Sequence, residues 1–344
     1  MKCAAVMMQY DYGEKSRGFS YEYYNIFMPL MDVVGEDNIM LFDFYDEYKR
    51  SGKSVMNKKL LEFVEKAKPD FTIFCLFENE LDGSTLNEIR KHTKTIAYFF
   101  DDPWRQKYVR RWINYFDYFS TPDYYMHQNY LFEKIENVIY LPFGFNKNIY
   151  KKIELDKDID VSFVGAYNPY RKWIIDLLIK NSINVKVYGR FWDGNSNWIT
   201  QEEMVNIFNR SKINLNLSNA VFNDSRYLLS AIKSPKAIKQ LILNKKTREQ
   251  VKGRHYEING CGGFQLSYFV SGLNMVYEIE KEIAVFDNVS NLPELIRFFL
   301  KNEILRNQIA QNGYKRSLEE HTAQGYMRKL IDIVSGMNRG DAKE

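Results

Sequence analysis

The sequence predicts an α/β protein with two Rossmann-like domains, each built on a parallel sheet. The chain has 344 residues, which is enough for two domains of about 150 residues each. Short apolar runs alternate with amphipathic helical patterns along both halves, and this alternation is typical of parallel α/β domains. Residues 71–77 are almost wholly apolar, as expected for a strand buried on both faces of a parallel sheet.

The first half begins with an apolar strand at residues 3–10 and a polar loop with two glycines. Ser20 then suits the N-cap of a helix, because its side-chain oxygen can accept from backbone N–H groups. Further strands are predicted at 38–45, 71–77, 95–100, 118–120 and 138–141. Helices are predicted at 55–68, 84–92, 106–115 and 124–135.

Residues 147–158 are charged and lack apolar periodicity, which predicts an interdomain linker. The predicted organisation is therefore an N-terminal domain (1–146), the linker (147–158), a C-terminal domain (159–322), and a C-terminal helix and tail (323–344). Strands of the second half are predicted at 160–164, 185–188, 213–217, 265–269 and 283–286. Helices are predicted at 172–180, at 201–209, within 220–252 and at 323–334. Two more are predicted to begin near residues 292 and 303, and the second of these is predicted to stop at Asn312-Gly313.

The composition excludes several classes of protein. A net charge of +4 is a small excess for 344 residues and does not support a dedicated nucleic-acid binder. The three cysteines, Cys3, Cys75 and Cys261, are far apart and show neither a disulfide framework nor the spacing of metal ligands. No apolar segment reaches the length that crosses a bilayer. We therefore expect a cytoplasmic protein.

The stretch from Lys252 to Phe264 combines cations, a carboxylate and glycines. Lys252 and Arg254 can neutralise phosphate oxygens, and Glu257 can accept hydrogen bonds from two vicinal hydroxyls. Gly262 and Gly263 would let backbone N–H groups approach a ligand closely. This mixture suits a ligand with phosphates and sugar hydroxyls, although a solvated helix start followed by a glycine turn explains the same pattern.

Other candidates follow predicted strands, where ligands of parallel sheets bind. Gly165 and Arg171 could form a phosphate-binding turn or an ordinary loop. Asp101 and Asp102 could orient an acceptor or act as a general base, or they could cap the next helix, since Asp followed by Pro is a common helix start. Trp104 could stack on a sugar or lie buried.

The run from Lys233 to Arg254 holds six lysines and two arginines against one glutamate. It is either a solvated helix face or a contact with an anionic membrane, an acidic glycan or a nucleic acid.

The order and spacing of these motifs resemble the CgeB-like (spore maturation protein type) glycosyltransferases, whose GT-B fold has two Rossmann-like domains facing across a cleft. The resemblance covers most of the chain. The residues that carry it are Phe99–Trp104, Leu141–Asn146, Phe163–Gly165 with Arg171, Val187–Gly189, Lys252–Glu257, Cys261–Phe264 and Asn312–Thr322.

This resemblance implies a reaction and roles for the site residues. The enzyme would move a sugar from a nucleotide-diphosphate donor to a hydroxyl acceptor, with retention of anomeric configuration and without metal or other cofactor. Gly165, Arg171, Lys252, Arg254, Gly262 and Gly263 would bind the sugar donor on the C-terminal domain. Glu257 would hold its ribose. Glu249, which is separated from Glu257 by seven residues, would act near the donor sugar.

Acceptor residues are expected in the N-terminal domain. Asp101 would handle the acceptor, which could be a glycan, a lipid-linked glycan, a protein or a modified DNA base. Asp102, Trp104 and Arg17 would help to bind it. The related enzymes often place a His-Asp pair after this strand, whereas Phe100 stands where the His would be. Rival interpretations are a phage-type DNA-modifying transferase, a non-catalytic nucleotide-binding scaffold and a sugar-nucleotide epimerase.

Overall fold

The chain folds into two compact units, each with one sheet. Unit 1 consists of residues 1–146 and 321–344, and unit 2 of residues 147–320. All strand pairs in both sheets are parallel, so the predicted α/β class with parallel sheets is confirmed. The computed structural model describes residues 1–192, 198–218, 225–232, 234–243, 246 and 248–336.

The sheet of unit 1 follows a doubly wound order. Its strands are β1 (Cys3–Val6), β2 (Ile39–Phe42), β3 (Phe71–Cys75), β4 (Lys94–Tyr98), β5 (Tyr118–Thr121) and β6 (Val138–Tyr140). They lie side by side as β2-β1-β3-β4-β5-β6, so the order reverses between β1 and β3. Five helices follow in this part of the chain: α1 (Met28–Val34), α2 (Phe44–Ala67), α3 (Gly83–Ile89), α4 (Asp102–Trp112) and α5 (Tyr124–Phe132).

The sheet of unit 2 repeats this order with five strands. They are β7 (Ile159–Val164), β8 (Val185–Tyr188), β9 (Ser211–Asn216), β10 (Gln265–Tyr268) and β11 (Ala284–Phe286). The spatial order is β8-β7-β9-β10-β11, and the reversal falls between β7 and β9. The described helices of this unit are α6 (Pro169–Lys180), α7 (Gln201–Arg210), α8 (Ser225–Ala231), α9 (Pro235–Leu243), α10 (Gly253–Gly260), α11 (Leu292–Lys301) and α12 (Glu303–Glu320). α13 (Ala323–Ser335) follows them in the chain.

The last helix, α13, belongs to unit 1 rather than forming a separate C-terminal element. Leu330 is fully buried in the apolar cluster that also contains Leu30 of α1 and Ile73 of β3. The Gln324 side-chain amide donates to Asn146 at 2.9 Å. The chain therefore returns to the first sheet and packs beside α1 in the same apolar cluster, an arrangement that local sequence patterns do not reveal.

Residues 147–158, predicted as a linker, lie within unit 2. Tyr150 is buried, and the backbone of this segment is held by one side chain of α7. The Asn209 Oδ1 atom accepts from the Ile153 N–H at 2.8 Å, and its Nδ2 donates to the Lys151 carbonyl at 2.9 Å. Hydrogen bonds from α7 thus order a segment that has no apolar periodicity of its own.

Two helices, α2 and α12, extend beyond their predicted bounds, and each contains a glycine; α2 is kinked at its glycine, Gly52. α2 begins at Phe44, well before residue 55, and Asp43 caps it by accepting from the N–H groups of Tyr45 and Asp46, both at 3.1 Å. Its internal Gly52 adopts a φ of 79°. α12 continues through Gly313 to Glu320, so the predicted stop at Asn312-Gly313 is wrong.

Gly313 serves close packing rather than helix termination. A Cβ atom at this position would lie 2.3 Å from the Glu282 carbonyl oxygen and 2.9 Å from the Asn259 side-chain amide nitrogen. Only glycine lets α12 approach these groups, which explains a residue that costs about 1 kcal/mol in a helix interior. Among the described residues, no helix combines the length and apolar character needed to cross a bilayer.

Replacing Gly313 by Ala should lower the free energy of unfolding by about 1–3 kcal/mol, since overpacking against a backbone carbonyl outweighs the better helix propensity of Ala. Urea unfolding measures the change. Gln311→Ala, at an exposed position of the same helix, is the control and should stay within about 0.5 kcal/mol of the wild type. A Gly313→Ala protein as stable as the wild type would contradict the close approach.

Candidate functional site

Polar side chains collect at the carboxyl edge of the second sheet, beside the reversal of strand order between β7 and β9. Ligands of open α/β sheets bind at this kind of position. β7 ends at Val164 and is followed by Gly165, and β9 ends at Asn216 and is followed by Leu217 and Ser218. The loops after these two strands therefore define the first candidate region.

Arg171, in the first turns of α6, joins these two loops. Its Nη1 donates to the Ala166 carbonyl at 2.9 Å, its Nη2 to the Leu217 carbonyl at 3.0 Å, and its Nε to the Ser218 carbonyl at 3.1 Å. Burial lowers the pKa of Arg171 to about 10, so the side chain remains charged at neutral pH. All three nitrogens of the guanidinium thus bond backbone oxygens, and they fix the ends of both strands.

Gly165 lies where two strand ends converge. A Cβ atom on Gly165 would be 2.7 Å from the Phe163 ring. Gly189, just after β8, has a φ of 122°, and a Cβ there would be 2.6 Å from the Gly165 carbonyl oxygen. Close backbone approach therefore accounts for both glycines.

Glu249 is the centre of a buried polar cluster. The Lys252 Nζ lies 2.8 Å and the Lys246 Nζ 3.5 Å from its Oε2. The Tyr268 hydroxyl donates to Oε2 at 3.4 Å, and the Ser218 hydroxyl donates to Oε1. We call these five residues the Glu249 cluster. A carboxylate that sequence spacing singled out is thus joined to side chains from the ends of β9 and β10.

The charges in the Glu249 cluster depend on one another. Burial acts to raise the pKa of Glu249, but the charges of Lys252 and Lys246 outweigh it and hold the pKa at about 2. Burial lowers the pKa of Lys252, with Glu249 opposing the change and Lys246 adding to it. The carboxylate therefore stays ionised, and it concentrates two cations at the carboxyl edge of the sheet.

A pocket of about 600 Å³ adjoins the Glu249 cluster. Ser218 and Tyr268 belong both to the pocket wall and to the cluster, so Glu249 lies directly behind that wall. Tyr170 and Ile174 of α6 line another side. The remaining wall residues come from α8 and from the ends of β10 and β11: Ser225, Arg226, Phe269, Phe286, Asp287, Asn288, Val289 and Ser290.

Glu257 occupies a second buried site within α10. Its Oε2 accepts from the Arg254 Nη1 at 2.6 Å, and its Oε1 accepts from the Tyr150 hydroxyl at 2.9 Å. The residue is only 4% exposed. Arg254 and Glu257, both predicted to bind the sugar donor, are therefore paired with each other, while Tyr150 from the predicted linker supplies the third group.

The start of α10 is held rigidly, which places Lys252. The Lys252 N–H donates to the His255 Nδ1 at 3.1 Å, and the His255 Nε2 lies 3.1 Å from the Ser267 hydroxyl of β10. Burial lowers the pKa of His255 to about 3, so the imidazole is neutral. This neutral buried ring ties α10 to the sheet.

Gly262 and Gly263 are not brought together with Glu249. They follow α10 and precede β10, at the amino edge of the sheet, whereas the Glu249 cluster lies at the carboxyl edge. Gly262 has a φ of 68°, and a Cβ on Gly263 would be 2.8 Å from the Asn214 side-chain nitrogen. A tight turn and close packing explain the two glycines.

In unit 1, Asp102 faces the core. It is fully buried, and its Oδ1 accepts from the Tyr130 hydroxyl at 2.8 Å. Burial raises the pKa of Asp102 to about 6, although hydrogen bonds from Thr121 and Tyr130 oppose the change. The Asp102 side chain is therefore not exposed to an acceptor in solvent, although a role in acceptor binding was predicted for it.

Asp101, Trp104 and Arg17 lie closer to solvent. The Trp104 Nε1 donates to the Asp101 Oδ1 at 3.0 Å, so the first two predicted residues are brought together. Arg17 lies in the loop after β1 and pairs with Glu14 at 2.8 Å and with Asp11 at 3.4 Å. Its charge is balanced within its own loop.

Glu22 is a candidate that the sequence patterns did not reveal. It is buried, and burial raises its pKa to about 7. The charges of Asp11 and Asp43 also raise this pKa, whereas hydrogen bonds from its own N–H and from Ser20 lower it. Burial and the charges of Asp11, Glu22 and Asp101 also raise the pKa of Tyr12. A carboxyl group that titrates near neutrality at the carboxyl edge of a sheet is suited to proton transfer.

Ser218, Tyr268, Lys246 and Tyr150 were also missed as site residues. Ser218 and Tyr268 had one usable signal, since each is a hydroxyl side chain at the carboxyl end of a strand. Tyr150 had none, because its partner Glu257 is far away in sequence. Among the described residues, no three His, Cys, Asp or Glu side chains are placed to hold a metal ion together.

Comparisons with known proteins agree with this architecture. Residues 171–332 match the profile of a glycosyl transferase-like family. No curated protein sequence matches the chain. Several solved structures share its fold over nearly the whole length, although sequence identity is about one residue in ten.

Three of these structures are representative. Sucrose-phosphate synthase from Thermosynechococcus elongatus has a TM-score of 0.65 at 10% identity, over 98% of this chain and 99% of that one. HepE from Anabaena in complex with UDP and glucose has a TM-score of 0.60 at 11% identity, over 97% and 99%. A glycosyltransferase from Rickettsia africae has a TM-score of 0.60 at 9% identity, over 99% of both chains. The predicted GT-B fold is therefore confirmed.

The burial of Asp102 has a measurable consequence. Its pKa of about 6 in the folded protein exceeds the ordinary value of 3.8, so protonated Asp102 stabilises the fold below about pH 4 and this contribution is lost as the pH rises through 6. Asp102→Asn stays neutral and can still accept from Tyr130. Its stability relative to the wild type should therefore rise by about 3 kcal/mol between pH 4 and 7, at about 1.4 kcal/mol per pKa unit.

Urea unfolding at several pH values measures this difference. Glu62→Gln, a neutralisation at a mostly exposed position of α2, is the matched control. Its free energy of unfolding should change with pH in the same way as that of the wild type. If Asp102→Asn also runs parallel to the wild type, the carboxyl group is solvated rather than buried.

Proposed function

We propose that this protein is a glycosyltransferase that uses a nucleotide-diphosphate sugar and a hydroxyl acceptor. Its GT-B fold and the match of residues 171–332 to a glycosyl transferase-like family support this proposal. The observation that carries the proposal is the Glu249 cluster beside the pocket at the carboxyl edge of the second sheet. Ser218 and Tyr268 of the cluster form part of the wall of a pocket of about 600 Å³, a volume that suits a small-molecule ligand. The two lysines bind the carboxylate that contacts these two wall residues.

The sugar donor is proposed to place its diphosphate beside Lys252 and Lys246. Glu249 would orient both cations, and Ser218 and Tyr268, whose hydroxyls donate to Glu249, would form the pocket wall beside the ligand. The structures of HepE contain UDP and UDP-glucose, which supports a UDP-sugar as the first candidate to test. Arg171 would act as a positioning residue, because its guanidinium already bonds three backbone oxygens.

In the proposed reaction, the bond between the sugar C1 and the diphosphate oxygen breaks, and its electron pair stays on the diphosphate. The acceptor hydroxyl oxygen forms the new bond to C1 and loses its proton. Lys252 and Lys246 would stabilise the charge that develops on the leaving diphosphate, which is electrostatic catalysis. A site that already concentrates cations needs little reorganisation during this step.

Glu257 and Arg254 remain proposed ligands for the ribose and the diphosphate. Both oxygens of Glu257 accept from Tyr150 and Arg254, so binding a ribose would require Glu257 to share or exchange these partners. Gly262 and Gly263 are proposed to support the site only through the turn that links α10 to β10.

For the acceptor, we propose two carboxylates of unit 1. Asp101 is oriented by Trp104, and Glu22 has a pKa raised by burial to about 7. A group with such a pKa can take a proton near neutral pH. The CgeB-like subfamily and a cytoplasmic location stay predictions.

Thermal shift with UDP-, GDP-, ADP- and dTDP-sugars tests sugar-donor binding. One nucleotide class should raise the melting temperature, because a ligand that binds only the folded state stabilises it. Lys252→Met should weaken binding of that nucleotide by on the order of tenfold, since it removes a charged partner of the phosphates.

The matched control is Lys315→Met, at an exposed position of α12, which should bind like the wild type. No stabilisation by any nucleotide sugar would favour a non-catalytic scaffold. Unchanged binding in Lys252→Met would remove the Glu249 cluster from the sugar-donor site.

We also propose that the reaction retains anomeric configuration and needs no metal ion. Turnover should therefore continue in EDTA, and NMR of the first product formed should show the anomer of the donor. Loss of activity in EDTA, or the opposite anomer, would contradict these two points. Release of an epimer without acceptor would favour an epimerase, and salt-sensitive transfer to DNA would favour the phage-type enzyme.

A further inference from the structure

Large apolar side chains of α8, of α9 and of the residue after α8 are exposed, in addition to those that are buried. Leu229 is 67% exposed, Ile232, directly after α8, is 70% exposed, and Ile242 of α9 is 76% exposed. In an ordinary amphipathic surface helix these positions would be polar. We call Leu229, Ile232, Ile242 and the two lysines described below the α8–α9 surface.

The inward faces of these helices are already occupied. Tyr227, Ala231 and Ala237 are buried. The Tyr227 ring lies 5.0 Å from that of Tyr170 and 5.6 Å from that of Trp173, both of α6. These buried aromatic and small residues fix the orientation of the helices. The core of the same unit therefore has no place for Leu229, Ile232 and Ile242.

Cations accompany the apolar side chain of α9, and the neighbouring sequence is basic. Lys236 and Lys239 of α9 are exposed and share the outer side of that helix with Ile242, since residues three and six positions apart lie within the same half of a helix. Residues 225–248 contain five lysines, two arginines and no acidic residue. The α8–α9 surface is therefore apolar and positively charged at once.

We propose that the α8–α9 surface docks the protein onto an anionic lipid bilayer. Apolar side chains on such a surface enter the boundary between head groups and acyl chains, and lysines bind the lipid phosphates with their stems along the apolar phase. Charge complementarity selects this occupant. A second copy would bring two segments of the same strong positive charge together, and a nucleic acid would leave the leucine and isoleucines exposed to water.

The proposal does not depend on the transferase activity. It concerns side chains that do not line the pocket, whereas Arg226 of α8 lines it and donates to Ser290 on its wall. Binding of a nucleotide sugar and binding of a bilayer can therefore be measured and lost separately.

Sedimentation of the full chain with vesicles tests the inference. The protein should sediment with vesicles of phosphatidylglycerol and phosphatidylcholine, should remain in solution with phosphatidylcholine alone, and should be released as salt screens the lysines. The double variant Leu229→Glu, Ile232→Glu should bind at least about tenfold more weakly, because it removes apolar contact and adds repulsion. Both positions are exposed, so folding and the nucleotide thermal shift should be unchanged.

Ile304→Glu is the matched control, because Ile304 of α12 is 87% exposed outside the α8–α9 surface. It should bind vesicles like the wild type. The proposal is overturned if the wild type ignores anionic vesicles, or if Ile304→Glu weakens binding as much as the double variant. It is also overturned if the double variant abolishes self-association or DNA retention while vesicle binding stays unchanged.

Discussion

The ionised carboxylate of Glu249, buried between two lysines, is the constraint on which the second unit depends. Removing a charge from water costs several kcal/mol unless partners compensate it. Here the compensation comes from Lys252 at the start of α10, from Lys246, and from the hydroxyls of Ser218 and Tyr268. The carboxylate thereby joins α10 to the ends of β9 and β10. The same carboxylate thus contacts both the two lysines and two residues of the pocket wall.

The other polar residues of this edge have complementary tasks. Arg171 binds the carbonyl oxygens after β7 and β9, so the two loops keep their positions while the site beside them carries charge. His255, neutral and buried, fixes the first turn of α10. Rigid positioning of this kind is what electrostatic stabilisation of a leaving group requires, because the cations must be in place before the charge develops.

The fold was predictable from the sequence to a large extent, but the partners of the site residues were not. Apolar strands such as Phe71–Cys75 and the repeated alternation indicate two parallel sheets, because burial on both faces demands apolar residues. Gly313 misled the prediction, since a helix stop and a close helix contact both favour glycine. The sequence singled out Arg254, Glu257 and Asp102 as candidate site residues. It did not reveal their partners, because Glu257 binds Tyr150 and Asp102 binds Tyr130 through tertiary contacts that no local pattern records.

A crystal structure of the protein with UDP bound tests the central claim most directly, with the other nucleoside diphosphates as replacements if another base binds more tightly. The account predicts the diphosphate within hydrogen-bond distance of the Lys252 Nζ, at the pocket wall formed by Ser218 and Tyr268. A nucleotide bound elsewhere, with the Glu249 cluster unchanged and without contact to the ligand, would contradict it.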